Sequence, residues 1–149
     1  MISLEQLNEY LINNNADFKL IHQTTPIISV EDAAKYYDIK KAAPTFIMQT
    51  ENGLIAILVS SQRGKLDLKS IKKQFNFTKL KFADKKIIEE KTGYEIGLIP
   101  LVGHNLPCIF DKLLLNNDYV YGGTGDPLTT LQIKPTDLEK SNQIMGYLL

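Results

Sequence analysis

The stretch Thr45–Ser60, TFIMQTENGLIAILVS, decides the fold class. Two apolar runs, TFIMQT and LIAILVS, flank Glu51-Asn52-Gly53. An Asn-Gly pair between such runs supplies the positive backbone angles of a tight turn, so the segment reads as an antiparallel hairpin.

Toward the N-terminus, Ser3 and Gln6 have capping-box spacing, and Leu4, Leu7 and Leu11 then share one helical face. DFKLIHQ alternates as a half-buried strand does. Ser29 and Asp32 open a second helix, VEDAAKYYDI, with Val30, Ala33, Ala34 and Tyr37 on its inner side. Toward the C-terminus, Asp67 caps a helix with Leu68, Ile71 and Phe75 inward. KLKFA reads as a strand, and Asp84 caps KKIIEEKT, which stops at Gly93. LPCIFD, DYVYGG and LTTLQI are further strands, and Pro135-Thr136 starts a terminal helix. Strands follow one another through short turns, with helices inserted between groups of them. That order favours an α+β fold with a mixed, largely antiparallel sheet over a doubly wound one.

Length and composition fit a single globular domain over residues 1–149, with 44% hydrophobic and 23% charged residues. No apolar run is long enough to cross a bilayer. The start, MISLEQLNEYL, lacks the basic and apolar regions of a signal peptide. A cytoplasmic protein without metal or cofactor is the default expectation. The formal net charge is zero, but ten of the seventeen basic residues lie between Arg63 and Lys91, opposed there by four acidic ones. That segment carries +6 against −6 elsewhere. Its lysines either guide one polyanionic partner or solvate two amphipathic helices.

No P-loop, nucleophile elbow or His-Glu-x-x-His motif is present. Gly122–Gly125, GGTG, lies between two strands and reads as a turn rather than a dinucleotide site. His22 reads as a packed strand residue. Cys108 reads as a buried structural thiol, and Asp111 as the cap of the KLLL turn. The unusual segment is Gly93–His104, GYEIGLIPLVGH, with three glycines and a proline among apolar residues. It is either a stiff apolar loop whose backbone meets a ligand or a buried connection between a helix and a strand. Gly97 would serve the first by close contact and the second by an unusual backbone angle. His104 follows directly, as an imidazole able to hold water or a ribose hydroxyl, or as a rim histidine bonded to backbone.

The order of LDLKSIKKQF, ADKKIIEEKTGYEIGLIPLVG, PCIFD, YVYGGTG and LQIKPTDL resembles the YbaK/ProX family over about Phe18 to Leu138. TGYEIGLIP is the most specific part. These are free-standing aminoacyl-tRNA deacylases, related to the editing domain of bacterial prolyl-tRNA synthetases. The resemblance implies a mixed, barrel-like sheet and hydrolysis of the ester between a wrong amino acid and the 3′-terminal adenosine of tRNA. It implies the tRNA acceptor end as partner and an aminoacyl-tRNA synthetase as an optional one. The family's Gly-x-x-Pro loop lines the aminoacyl pocket, so Gly97, Leu98, Ile99 and Pro100 inherit that role. Backbone groups of Gly122 and Gly123 could add to it, His104 directly follows the loop as a further substrate-binding candidate, and Lys65, Lys72 and Lys73 of the basic segment are the tRNA-contact candidates.

Two departures stand out. The family's lysine at the start of the first hairpin strand falls here on Pro44 or Thr45, with Lys40, Lys41 and Lys65 the nearest replacements. The family's Gly-x-Ser-Pro is here Gly97-Leu98-Ile99-Pro100, which makes the pocket smaller or more apolar. Two readings stay open: an active deacylase, or a catalytically inactive module that binds the aminoacyl or acceptor end.

Overall fold

A computed structural model describes all residues, Met1–Leu149. The hairpin forms from β2 (Thr45–Thr50) and β3 (Gly53–Leu58), with Thr45 opposite Leu58 and Thr50 opposite Gly53. Its turn differs from the expected Asn-Gly geometry. Glu51 and Asn52 form the two-residue loop, and only Gly53 has a positive φ, at 116°. The Thr50 hydroxyl closes the turn, donating to the Gly53 carbonyl at 2.9 Å and accepting the Asn52 N–H at 3.1 Å. The Glu51 carboxylate accepts the Thr78 and Lys79 amides at 2.9 and 3.2 Å, tying the turn to β4 (Leu80–Phe82).

β3 lies at the centre of a five-stranded sheet ordered β4-β2-β3-β5-β8, where β5 is Pro107–Asp111 and β8 is Gln143–Leu148. β5 runs parallel to both β3 and β8, and the other pairs are antiparallel. A separate antiparallel sheet places β7 (Thr129–Ile133) between β1 (Phe18–His22) and β6 (Val120–Gly123). The fold is thus α+β with a mixed, largely antiparallel β structure. The barrel-like closure implied by the resemblance is not reached, because the two sheets stay open and share only a bridge between Ala42 and Tyr121.

The helices are α1 (Leu4–Asn13), α2 (Val30–Ala34), α3 (Leu68–Gln74), α4 (Lys85–Thr92) and α5 (Pro135–Lys140). Capping boxes at Ser3/Gln6 and Ser29/Asp32 form as the spacing predicts, and Asp67 accepts the Ser70 amide. Asp84 occupies the N-cap of α4 without a side-chain cap bond, while Gly93 ends that helix in the left-handed region. Three expectations fail. α2 is one turn long, and of its expected inner residues Val30 and Ala34 are exposed. The C-terminal segment is not a terminal helix, because α5 stops at Lys140 and β8 follows. The strand partner of β8 lies more than thirty residues upstream, so nothing in its neighbourhood announces it.

Alternation along β2 sorts the core into two sides. Phe46 and Met48 face α3 with Ile57, Ile71 and Ile109, whereas Ile47 faces α4 with Ala56, Ile88 and Ile99. A third cluster, containing Leu7, Leu11, Cys108, Phe110, Leu131, Ile133 and Leu138, joins the sheets to α1 and α5. Cys108 is fully buried there, and burial pushes its thiol up to about 12.

One ion pair anchors the end of β5. The buried Asp111 carboxylate receives Arg63 through two N–H···O bonds of 2.7 Å, plus the Ser60 and Leu113 amides at 2.9 Å each. Burial acts to raise its pKa, but Arg63 and the two amides outweigh it and hold the carboxyl below its ordinary value. Arg63 therefore does not belong to the exposed basic patch. Removing one partner of such a pair leaves a buried charge unopposed. Arg63→Met should cost roughly 3 kcal/mol in chemical denaturation. A loss within about 0.5 kcal/mol, as at ordinary surface positions, would show the pair to be dispensable.

Candidate functional site

The principal cleft, of about 680 Å³, is bounded by α2, the approach to β2, the Gly97–Ile99 segment and the outer edge of β6. Its position follows from two backbone bonds. The Tyr121 carbonyl accepts the Ala43 N–H at 2.8 Å, and the Gly123 carbonyl accepts the Leu101 N–H at 3.0 Å. One edge of β6 thereby holds both the approach to β2 and the Gly-x-x-Pro loop.

The three glycines of Gly93–His104 divide their work. Gly93 and Gly103 have φ of 79° and 99° and bend the chain where other residues are disfavoured. Gly97 has no such angle, and a Cβ built on it would meet nothing within 4 Å. It leaves space at the wall of the cleft. Gly123 does the opposite, since a Cβ there would lie 2.5 Å from the Ile99 carbonyl oxygen. β6 and the loop thus approach as closely as their backbones allow. The loop's entry is fixed by the Thr92 hydroxyl, which donates to the Ile88 carbonyl at 2.6 Å and accepts the Tyr94 N–H at 3.1 Å.

Of the residues expected at the site, Gly97, Leu98, Ile99, Gly122, Gly123, Pro44 and Thr45 line the cleft. Pro100 is buried behind the loop and does not line it. His104 does not join them. Its buried ring faces a separate hollow beside Ser141 and Asn142. Nδ1 accepts the Leu106 N–H at 3.1 Å, and Nε2 has no partner at hydrogen-bonding geometry. Lys65 lies in another hollow with Phe46 and Phe82. Lys72 and Lys73 lie on α3, which packs on the Phe46/Met48 side of the sheet, away from the cleft. Of the lysines just upstream of β2, Lys41 is engaged by Asp118 at 2.8 Å, while Lys40 lines the cleft and forms no ion pair.

Several cleft residues have no local sequence signal. Tyr37 and Tyr121 stack with ring centroids 4.8 Å apart and planes within 4°. Gln23 and Thr130 bond to each other at 2.8 Å, and Thr124 donates to the Thr129 carbonyl at 2.8 Å. Thr45 contrasts with them: its Oγ1 is buried and has no partner. The amides of Gly97 and Ile99 donate to no other backbone group. No group of three or more His, Cys, Asp or Glu side chains is arranged to hold a metal ion, and no helix is long and apolar enough to cross a membrane.

Burial pushes the His104 imidazole down to about 4, opposed in part by Asn142. The unfolded chain then binds a proton that the folded one refuses between about pH 6.5 and 4. Stability is complete above this window and falls as pH drops through it, by up to roughly 3 kcal/mol. His104→Asn, whose side-chain oxygen can replace Nδ1 as acceptor, should flatten that dependence in melting experiments. An unchanged acid slope would assign it to other groups.

The fold recurs in solved structures. A hypothetical protein superposes with a TM-score of 0.83 over 95% of this chain and 97% of its own, at 22% identity. A candidate trans-editing enzyme for prolyl-tRNA synthetase superposes with a TM-score of 0.82 over 98% of this chain and 96% of its own, at 23% identity. Residues 24–141 match the family model of the aminoacyl-tRNA editing domain. The match spans the hairpin, both walls of the cleft and the stop of α5, in agreement with the motif order around TGYEIGLIP: the chain belongs to the aminoacyl-tRNA editing domain family.

Proposed function

We propose that this protein is a trans-acting aminoacyl-tRNA deacylase whose cleft takes the aminoacylated 3′ end of a mischarged tRNA. The observation that carries this reading is the cleft itself, where the Gly-x-x-Pro loop and apolar side chains face polar ones such as Gln23 and Thr130, with one unpaired cation, Lys40, and one carboxylate, Asp126, on the lining. In the reaction, water attacks the ester carbonyl and the bond to the ribose oxygen breaks. The amino acid leaves as its carboxylate, and the ribose hydroxyl regains a proton. The uncommitted amides of Gly97 and Ile99 are the proposed donors to the developing oxyanion. Lys40 opposes the charge of the terminal phosphodiester, and the Tyr37–Tyr121 stack offers flat apolar surface to the adenine. Lys65, Lys72 and Lys73 do not share this surface, so any tRNA contact they make is with a more distant part of the molecule.

A second reading, a binding module without turnover, rests on one observation. Pro44 and Thr45 stand at the hairpin start, and neither can supply an ammonium. Incubation with a panel of mischarged tRNAs decides the matter. Amino acid release above the uncatalysed rate is expected for at least one of them. Binding without release would select the second reading, and neither binding nor release would remove both.

Gly97→Ala tests the placement of the ligand. The added methyl strains nothing and touches nothing, so the melting temperature should hold within about 1 °C, far less than the shift for 1 kcal/mol. Binding or turnover should drop by about tenfold or more, because that space belongs to the ligand. Full activity in the variant would place the substrate elsewhere in the cleft.

A further inference from the structure

We infer that the Thr45 hydroxyl selects the acyl group, and that the preferred substrate carries a small amino acid with its own hydroxyl, of the serine–threonine class. The inference rests on the editing reading above and deepens it.

Thr45 is the first residue of β2, on the same side of the strand as Ile47, and it lines the cleft near the buried residues Ala43 and Ile99. Every other threonine on the lining of known bonding has spent its hydroxyl within the protein. Thr130 donates to the Gln23 side chain, and Thr124 to the Thr129 carbonyl. Thr129 faces the His22 ring at 3.3 Å. Thr45 Oγ1 alone is buried without a partner. A hydroxyl left that way costs about 1–3 kcal/mol. Valine, of the same shape and an equally good strand former, would avoid the cost.

The strand holds Thr45 by its backbone only, so its side chain can turn about χ1 without breaking any bond. That turn brings the hydroxyl to the cleft when a polar group arrives to meet it. The surroundings limit what can arrive. Ala43 and Ile99, on the same lining, add bulk without polar side-chain atoms, which favours a small group carrying its own hydroxyl. A hydroxyl on the acyl group satisfies Thr45, whereas a methyl leaves the buried oxygen unpaired.

The test compares seryl and alanyl esters on one and the same tRNA, in the wild type, Thr45→Val and Thr45→Ser. Wild type should favour the seryl ester by roughly tenfold or more in kcat/KM, the fold-change for one net hydrogen bond. Thr45→Val should bring that ratio near one by losing activity on the seryl ester alone, and its melting temperature should not fall. Thr45→Ser should keep the preference. For a protein that binds without turnover, the same ratios are read by calorimetry on amide-linked 3′-seryl and 3′-alanyl adenosine analogues. Equal handling of both acyl groups by the wild type, or an equal loss on both in Thr45→Val, would overturn this inference and leave the editing reading standing. Failure of the wild type to act on or bind either would overturn this inference, and the editing reading falls with it only if the whole panel of mischarged tRNAs also fails.

Discussion

The free edge of β6 is the constraint on which the cleft depends. A strand edge presents unpaired carbonyls, and here two of them are used to hold chain segments that belong to no strand of that sheet. Tyr121 takes Ala43 from the approach to the hairpin, and Gly123 takes Leu101 from the Gly-x-x-Pro loop. The five-stranded sheet and the three-stranded sheet are joined at this line, and the cleft is the gap left beside it. The contact between Gly123 and the Ile99 carbonyl sets how narrow that gap can be.

This arrangement explains why a loop so rich in glycine and proline is apolar. Beyond the exposed turn at Glu95, Ile96 and Gly97, the loop is no surface connection. Tyr94, Ile99, Leu101 and Val102 are all buried, and they bind the loop to two of the three core clusters. What remains for chemistry is mainly backbone, together with the few side chains that the opposite wall supplies. Rigidity comes from packing, and polarity comes from amides that the packing leaves unused.

Local signals in the sequence carried much of the architecture. Ser3/Gln6, Ser29/Asp32, Asp67 and Gly93 mark helix ends because a cap is a contact between residues three or four apart. The hairpin was legible for the same reason, although the turn is closed by Thr50 rather than by an Asn-Gly pair. β8 was not legible, since its only partner is a parallel strand far upstream. The site divided along the same line. Gly97, Ile99 and Gly123 lie in a recognisable motif order, whereas Lys40, Tyr37 and Gln23 reach the cleft through tertiary folding alone. His104 was misplaced because adjacency in sequence to the loop did not survive the left-handed turn at Gly103. The lysines of α3 lie on the other side of the sheet from the cleft, a relation that a charge run does not encode.

Cys108 has a consequence for how this fold can be observed. With its thiol pushed up to about 12 by burial, the thiolate is scarce at neutral pH, and that sulfur is fully enclosed. Peroxides and alkylating reagents therefore find nothing to attack while the cluster that joins the sheets to α1 and α5 stays closed. The single sulfur becomes reactive only when that cluster opens. Its labelling rate reports the opening of the sheet's interior directly, with no probe added to the chain.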